Sequence, residues 1–131
     1  MKKLLATLAL ALFASVSFAG EYPDISISEL EEAIKKGEVV LIDVNGSSSY
    51  EKGHIPGAID FRANKDKIAS LLGDNKDKLV VAYCGGPSCS AYQAGAKAAE
   101  EAGFKNIKHL SAGISGWLQA GKTTEKAEKG S

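Results

Sequence analysis

The stretch Cys84-Gly85-Gly86-Pro87-Ser88-Cys89 contains both cysteines of a 131-residue chain. The thiolate is the nucleophilic form of cysteine, and it is favoured where backbone N–H groups and a helix N-terminus point at the sulfur. Gly85 and Gly86 allow backbone angles closed to other residues, so successive amides can curl around a sulfur or a bound anion. Pro87 stiffens the turn and donates nothing. Two thiols at this spacing can also join, provided their Cα atoms come within about 7 Å. A bridge closing so short a loop removes little entropy from the unfolded chain and is a poor structural staple. The bland alternative is a glycine-rich strand-to-helix turn that happens to hold a half-buried cysteine.

The elements around this loop read as alternating helices and strands. Ser28 with Glu31 has the capping-box spacing, and Leu30, Ala33 and Ile34 share one side of a helix expected from about Ser28 to Lys36. Val39 to Val44 (VVLIDV) is a continuous apolar run, as in a strand covered on both faces. A short helical segment around Ser48 to Lys52 follows, then a brief strand over Ala58–Phe61 and a helix from Asn64 to about Leu72. LVVAY, Leu79 to Tyr83, repeats the buried-strand pattern and runs straight into Cys84. A helix is expected from Ser90 to about Ala102, a last strand over Ile107–Leu110, and a final helix in ISGWLQAG. This order predicts an α/β domain with a mostly parallel central sheet of about five strands and helices on both faces. Ligands in such sheets sit at the carboxyl ends of the strands, which is where sequence order puts Cys84.

The first residues, MKKLLATLALALFASVSFAG, have the form of a secretory signal peptide: two lysines, an apolar run, then Ser17-Phe18-Ala19 before a cut at Gly20. The expected division is therefore residues 1–19 as signal, 20–122 as one domain and 123–131 as a flexible tail of charged and small residues. A periplasmic or secreted protein follows, with no membrane attachment once the signal is removed. The whole chain carries no formal net charge, and removal of the signal takes two lysines with it. A neutral to slightly acidic chain whose one arginine is Arg62 has no footprint for a phosphate backbone, so nucleic acid is excluded as an expected partner.

Three ordered stretches together resemble the rhodanese family of sulfurtransferases across roughly Ile25 to Gly121. They are LIDVNGSSSYEKGHIPGAIDF, VVAYCGGPSCSA and HLSAGISGW. The resemblance implies a rhodanese-like domain in which Cys84 is the nucleophile, takes a sulfane sulfur from a small anionic donor such as thiosulfate or polysulfide, and passes it to a thiol or cyanide. Gly85, Gly86, Pro87, Ser88 and Ser90 would line the donor, and no metal or organic cofactor is required. Two departures matter. Many family members carry arginine five residues after the nucleophile, where this chain has Cys89, and often arginine after the strand-end Asp-Val, where it has Asn45. Arg62 is left as the cation that could reach the pocket mouth. Asp43 is expected to orient the loop or to cap the next helical turn, and His54 to make a structural hydrogen bond in the Gly-His-Ile-Pro turn.

Two functional readings follow. In one, Cys84 carries a persulfide and Cys89 resolves it, leaving a disulfide that an outside thiol or reductant protein must open. In the other, the pair is locked as a disulfide and the domain is a non-catalytic or redox-sensing module that binds a partner.

Overall fold

The computed structural model describes residues 22–127. The expected signal segment and residues 128–131 of the expected tail lie outside the described residues. Helix α1 (Ile27–Lys35) is followed by strand β1 (Val39–Asp43), helix α2 (Ser47–Lys52), strand β2 (Ile59–Asp60) and a short helix α3 (Phe61–Asn64). A 3₁₀ turn over Lys65–Lys67 leads into α4 (Ile68–Leu72), then β3 (Leu79–Tyr83), α5 (Tyr92–Glu101), β4 (Ile107–His109) and α6 (Gly113–Gln119).

The sheet is parallel throughout, in the order β2-β1-β3-β4. Among the described residues four strands are formed, against an expectation of about five, and Asp24 adds an isolated parallel bridge to His109. Alternation along the central strands feeds two cores. Ile42, Val80 and Ala82 face a cluster with Ala96, Ala99 and Phe104, while Leu41, Val81 and Tyr83 face one with Leu30, Leu110 and Trp117. Helices therefore cover both faces, and every residue of β3 after Leu79 is buried.

Several local expectations shift. The capping box belongs to Ser26 and Glu29 rather than to Ser28 and Glu31. The stripe Ile27, Leu30, Ile34 explains this, because a helix that includes Ile27 packs all three against one core while Ile25 and Leu30 bracket the cap. The single helix expected over Asn64–Leu72 is broken instead by the 3₁₀ turn, and α3 is capped by the Asp60 carboxylate accepting from the Ala63 amide. The expected flexible tail is, over Thr123–Ala127, tied to the domain. The Trp117 indole N–H donates to the Thr123 carbonyl at 2.8 Å, Glu125 and His54 exchange backbone hydrogen bonds, and the Ala127 amide donates to Glu51. Among the described residues no helix is long and apolar enough to cross a membrane.

Candidate active site

The chain leaves β1 toward β2 on one side and returns to β3 on the other, so the strand order reverses between the carboxyl ends of β1 and β3. Cys84 follows β3 directly at that point and is 3% exposed. Cys89 lies across the loop with its Cα 6.3 Å from that of Cys84, and the two sulfurs are joined in a disulfide. The separation that the sequence left open is thus inside the bridging range.

The inner half of the loop is held from behind by α6. Two amides of its first turn, of Ile114 and Ser115, donate to the carbonyls of Cys84 and Gly85 at 2.9 and 3.0 Å. Gly113, with φ +65°, makes that contact possible: a Cβ there would lie 2.5–2.6 Å from the backbone of Gly85 and Gly86. Gly85 and Gly86, singled out in the sequence for the backbone angles open to glycine, do not adopt the left-handed conformation. A Cβ on either would meet only ordinary contacts, at 3.8 Å to Asn45 Oδ1 and 3.9 Å to Ser115 Cβ. The glycine that the geometry requires is on the docking helix, within the stretch GISGW.

Among the described residues, the amides of Gly85, Gly86, Ser88, Ser90 and Ala91 donate to no other group. Helix α5 begins at Tyr92, two residues later than expected, so its N-terminus stands behind Ser90 and Ala91 rather than at Cys84. Gly95 brings α5 down on the sheet, its Cα facing the Val44 and Ile42 methyls with no room for a Cβ. Unpaired amides at a helix N-terminus favour negative charge.

Arg62 lines a groove of about 250 Å³ with Val44, Gly46, Phe61, Lys65, Ala91 and Ala94. Lys65 was not singled out in the sequence, although its spacing of three from Arg62 places both on one helical side. The groove reaches the amino end of α5 at Ala91 and Ala94. A larger concavity of about 530 Å³, which includes Glu38, Leu79 and Asn106, lies at the amino ends of the strands, away from both sulfurs.

Asp43 is buried at the end of β1. Its carboxylate accepts from the Tyr83 hydroxyl at 2.7 Å and the Asn45 amide at 2.8 Å, and the Tyr83 oxygen also accepts from the Ile55 amide. Asp43 therefore pins the two strand ends together and does not cap α2, whose cap position is Gly46. Burial pushes the Asp43 carboxyl above its ordinary value, against the opposing pull of these two donors. Burial, together with the Asp43 charge, pushes the Tyr83 phenol up as well. Tyr83 is a positioning residue that sequence reading missed; a hydroxyl at the last position of a buried strand was the available signal.

His54 is 4% exposed. Its Nδ1 donates to the Tyr50 carbonyl at 2.7 Å and its ring stacks on Tyr50, while Tyr50 hydrogen-bonds the Ala58 carbonyl. His54 thus braces the turn between α2 and β2, within one packed unit that includes Glu125, 3.8 Å from Nε2.

A four-stranded parallel sheet with a cysteine loop at its switch point, locked by a Gly-x-x-x-Trp helix, defines an α/β domain of the sulfurtransferase fold. Residues 26–120 match the rhodanese-like domain family, and the chain belongs to that family. It is 37% identical over 99 residues to an HTH-type transcriptional regulator of Mycobacterium tuberculosis, covering 74% of this chain and 42% of that one. It is 34% identical over 107 residues to a tRNA uridine(34) hydroxylase of Photorhabdus laumondii, covering 75% of this chain and 28% of the relative. The chain thus spans less than half of either relative. Among solved structures, the thiosulfate sulfurtransferase of Pseudomonas aeruginosa superposes with a TM-score of 0.70 at 24% identity, covering 83% of this chain and 20% of that one. At that identity the likeness concerns the fold.

Proposed function

We propose that this protein is an exported sulfurtransferase that moves sulfane sulfur through a persulfide on Cys84. The observation that carries the reading is the position of Cys84: buried at the carboxyl end of β3, at the sheet's switch point, within a loop whose outer amides are unpaired. With the disulfide reduced, the Cys84 thiolate attacks the outer sulfur of thiosulfate or polysulfide. The donor's S–S bond breaks, and sulfite or a shorter polysulfide leaves with the electron pair. The unpaired amides stabilise the charge on the outer sulfur, as donors in an oxyanion hole do. Arg62 and Lys65 attract the anionic donor to the groove at the loop's edge. An acceptor thiolate or cyanide then takes the outer sulfur and Cys84 leaves as thiolate. When no acceptor arrives, Cys89 attacks the inner sulfur, hydrosulfide leaves, and the disulfide forms.

The test is intact mass of the mature protein after mild reduction and exposure to thiosulfate or polysulfide. A gain of one sulfur that is lost with Cys84→Ala and lasts longer with Cys89→Ala supports the reading. The disulfide favours a second reading, a redox-sensing module that binds a partner. No sulfur gain from either donor, with a disulfide that re-forms at once, would leave only that one.

A further inference from the structure

The two sulfurs of the bridge stand in unequal surroundings. Cys84 is 3% exposed, continues a buried strand, and has its carbonyl held by α6. Cys89 is partly exposed, and its backbone is tied within the loop by a single bond, its amide donating to the Gly86 carbonyl. The residues around it, Pro87, Ser88, Ser90 and Ala91, are all exposed, small and uncharged. These flanking residues carry no charge themselves, and the cations Arg62 and Lys65 share a groove with Ala91.

We propose that the Cys84–Cys89 disulfide is opened by a dithiol protein whose attacking thiolate strikes Cys89, with Cys84 as the leaving group. The inference rests on the sulfur-transfer reading, in which the disulfide is a turnover product. Exchange at sulfur runs in line, so a nucleophile arriving from the rim at Cys89 has the buried Cys84 sulfur behind it. The partner–Cys89 bond forms, the Cys84–Cys89 bond breaks, and Cys84 takes the electron pair as thiolate, in position for the next donor. A monothiol stalls here. Its mixed disulfide on Cys89 stays within reach of Cys84, whose Cα is 6.3 Å away, and Cys84 attacks back to re-form the bridge and expel the monothiol. A dithiol escapes, because its second thiolate attacks its own sulfur in the mixed bond, leaves as a disulfide, and releases Cys89 as thiolate. Two electrons pass from the partner to the loop.

The experiment incubates the oxidised mature protein with a small Cys-x-x-Cys oxidoreductase whose second cysteine is replaced by serine. Acid quenching and alkylation follow, and fragmentation of the loop peptide locates the linkage. A mixed disulfide on Cys89 with Cys84 alkylated is expected; linkage to Cys84 with Cys89 alkylated overturns the proposal. In a parallel arm the intact oxidoreductase opens the bridge at least ~10-fold faster than a monothiol of matched pKa at equal thiol concentration. Equal rates, or a loop inert to the dithiol protein, also overturn it. Chemically reduced protein that fails to load sulfur would sink the sulfur-transfer reading alone, so the two failures are distinguishable.

Discussion

Replacing Gly113 with alanine tests whether docking of α6 positions the cysteine loop. The new Cβ would sit 2.5 Å from the Gly85 carbonyl carbon and 2.6 Å from its oxygen and from the Gly86 nitrogen. These are backbone atoms, so the overlap is relieved only by moving the loop or the helix. The left-handed conformation at φ +65° adds about 1–2 kcal/mol for any residue with a Cβ. Overpacking contributes about 1–3 kcal/mol more. Gly121 separates the two effects, since its φ is +77° but a Cβ there meets nothing within 4 Å. Urea denaturation of both variants in one redox state should therefore give a loss of about 1–2 kcal/mol for Gly121→Ala and about 2–5 kcal/mol for Gly113→Ala. Alkylation of reduced protein should show Cys84 more reactive in Gly113→Ala alone, because the bonds from Ile114 and Ser115 no longer hold its loop. Equal losses in the two variants, with Cys84 equally protected, would refute the claim that this glycine exists for the loop.

Two further outcomes follow from the buried polar pair and the groove. Tyr83→Phe leaves Asp43 Oδ2 and the Ile55 amide without their shared hydroxyl partner, while the Asn45 amide still serves Oδ1, and should cost about 2–4 kcal/mol. Asp43 already holds its proton more tightly when folded than when unfolded, so its contribution makes stability fall as pH rises from the ordinary carboxylate range through the folded value. Loss of the tyrosine donor raises that folded value further, so urea midpoints measured from pH 4 to 8, spanning roughly the range in which a raised carboxyl titrates, should fall more steeply in the variant; parallel profiles would count against the assignment. Arg62→Ala combined with Lys65→Ala should raise the thiosulfate KM about tenfold, roughly 1.4 kcal/mol of binding, with kcat little changed and the salt dependence flattened. An unaltered salt dependence would remove the groove from the donor's path.

How much of this was legible before the fold depends on whether a feature is local. LVVAY announces β3 because an unbroken apolar run serves a strand with both faces covered, and Val80 to Tyr83 are all buried. The place of Cys84 at the strand's carboxyl end followed from that alone. Ser26-x-x-Glu29 and Ser28-x-x-Glu31 carry the same capping spacing, and only the packing of Ile27 chooses between them. The role of glycine was misplaced for a similar reason. Gly85 and Gly86 stand next to the cysteine in sequence, but the close approach is made by Gly113, brought in from behind β4. The same physics makes the two cysteines unequal. In sequence they are the symmetric ends of one short motif. In the fold one continues a buried strand whose backbone α6 grips, and the other ends on an open rim before α5. The direction proposed for the chemistry, Cys84 as carrier and Cys89 as point of attack, therefore rests on the docking of a helix that begins more than twenty residues downstream.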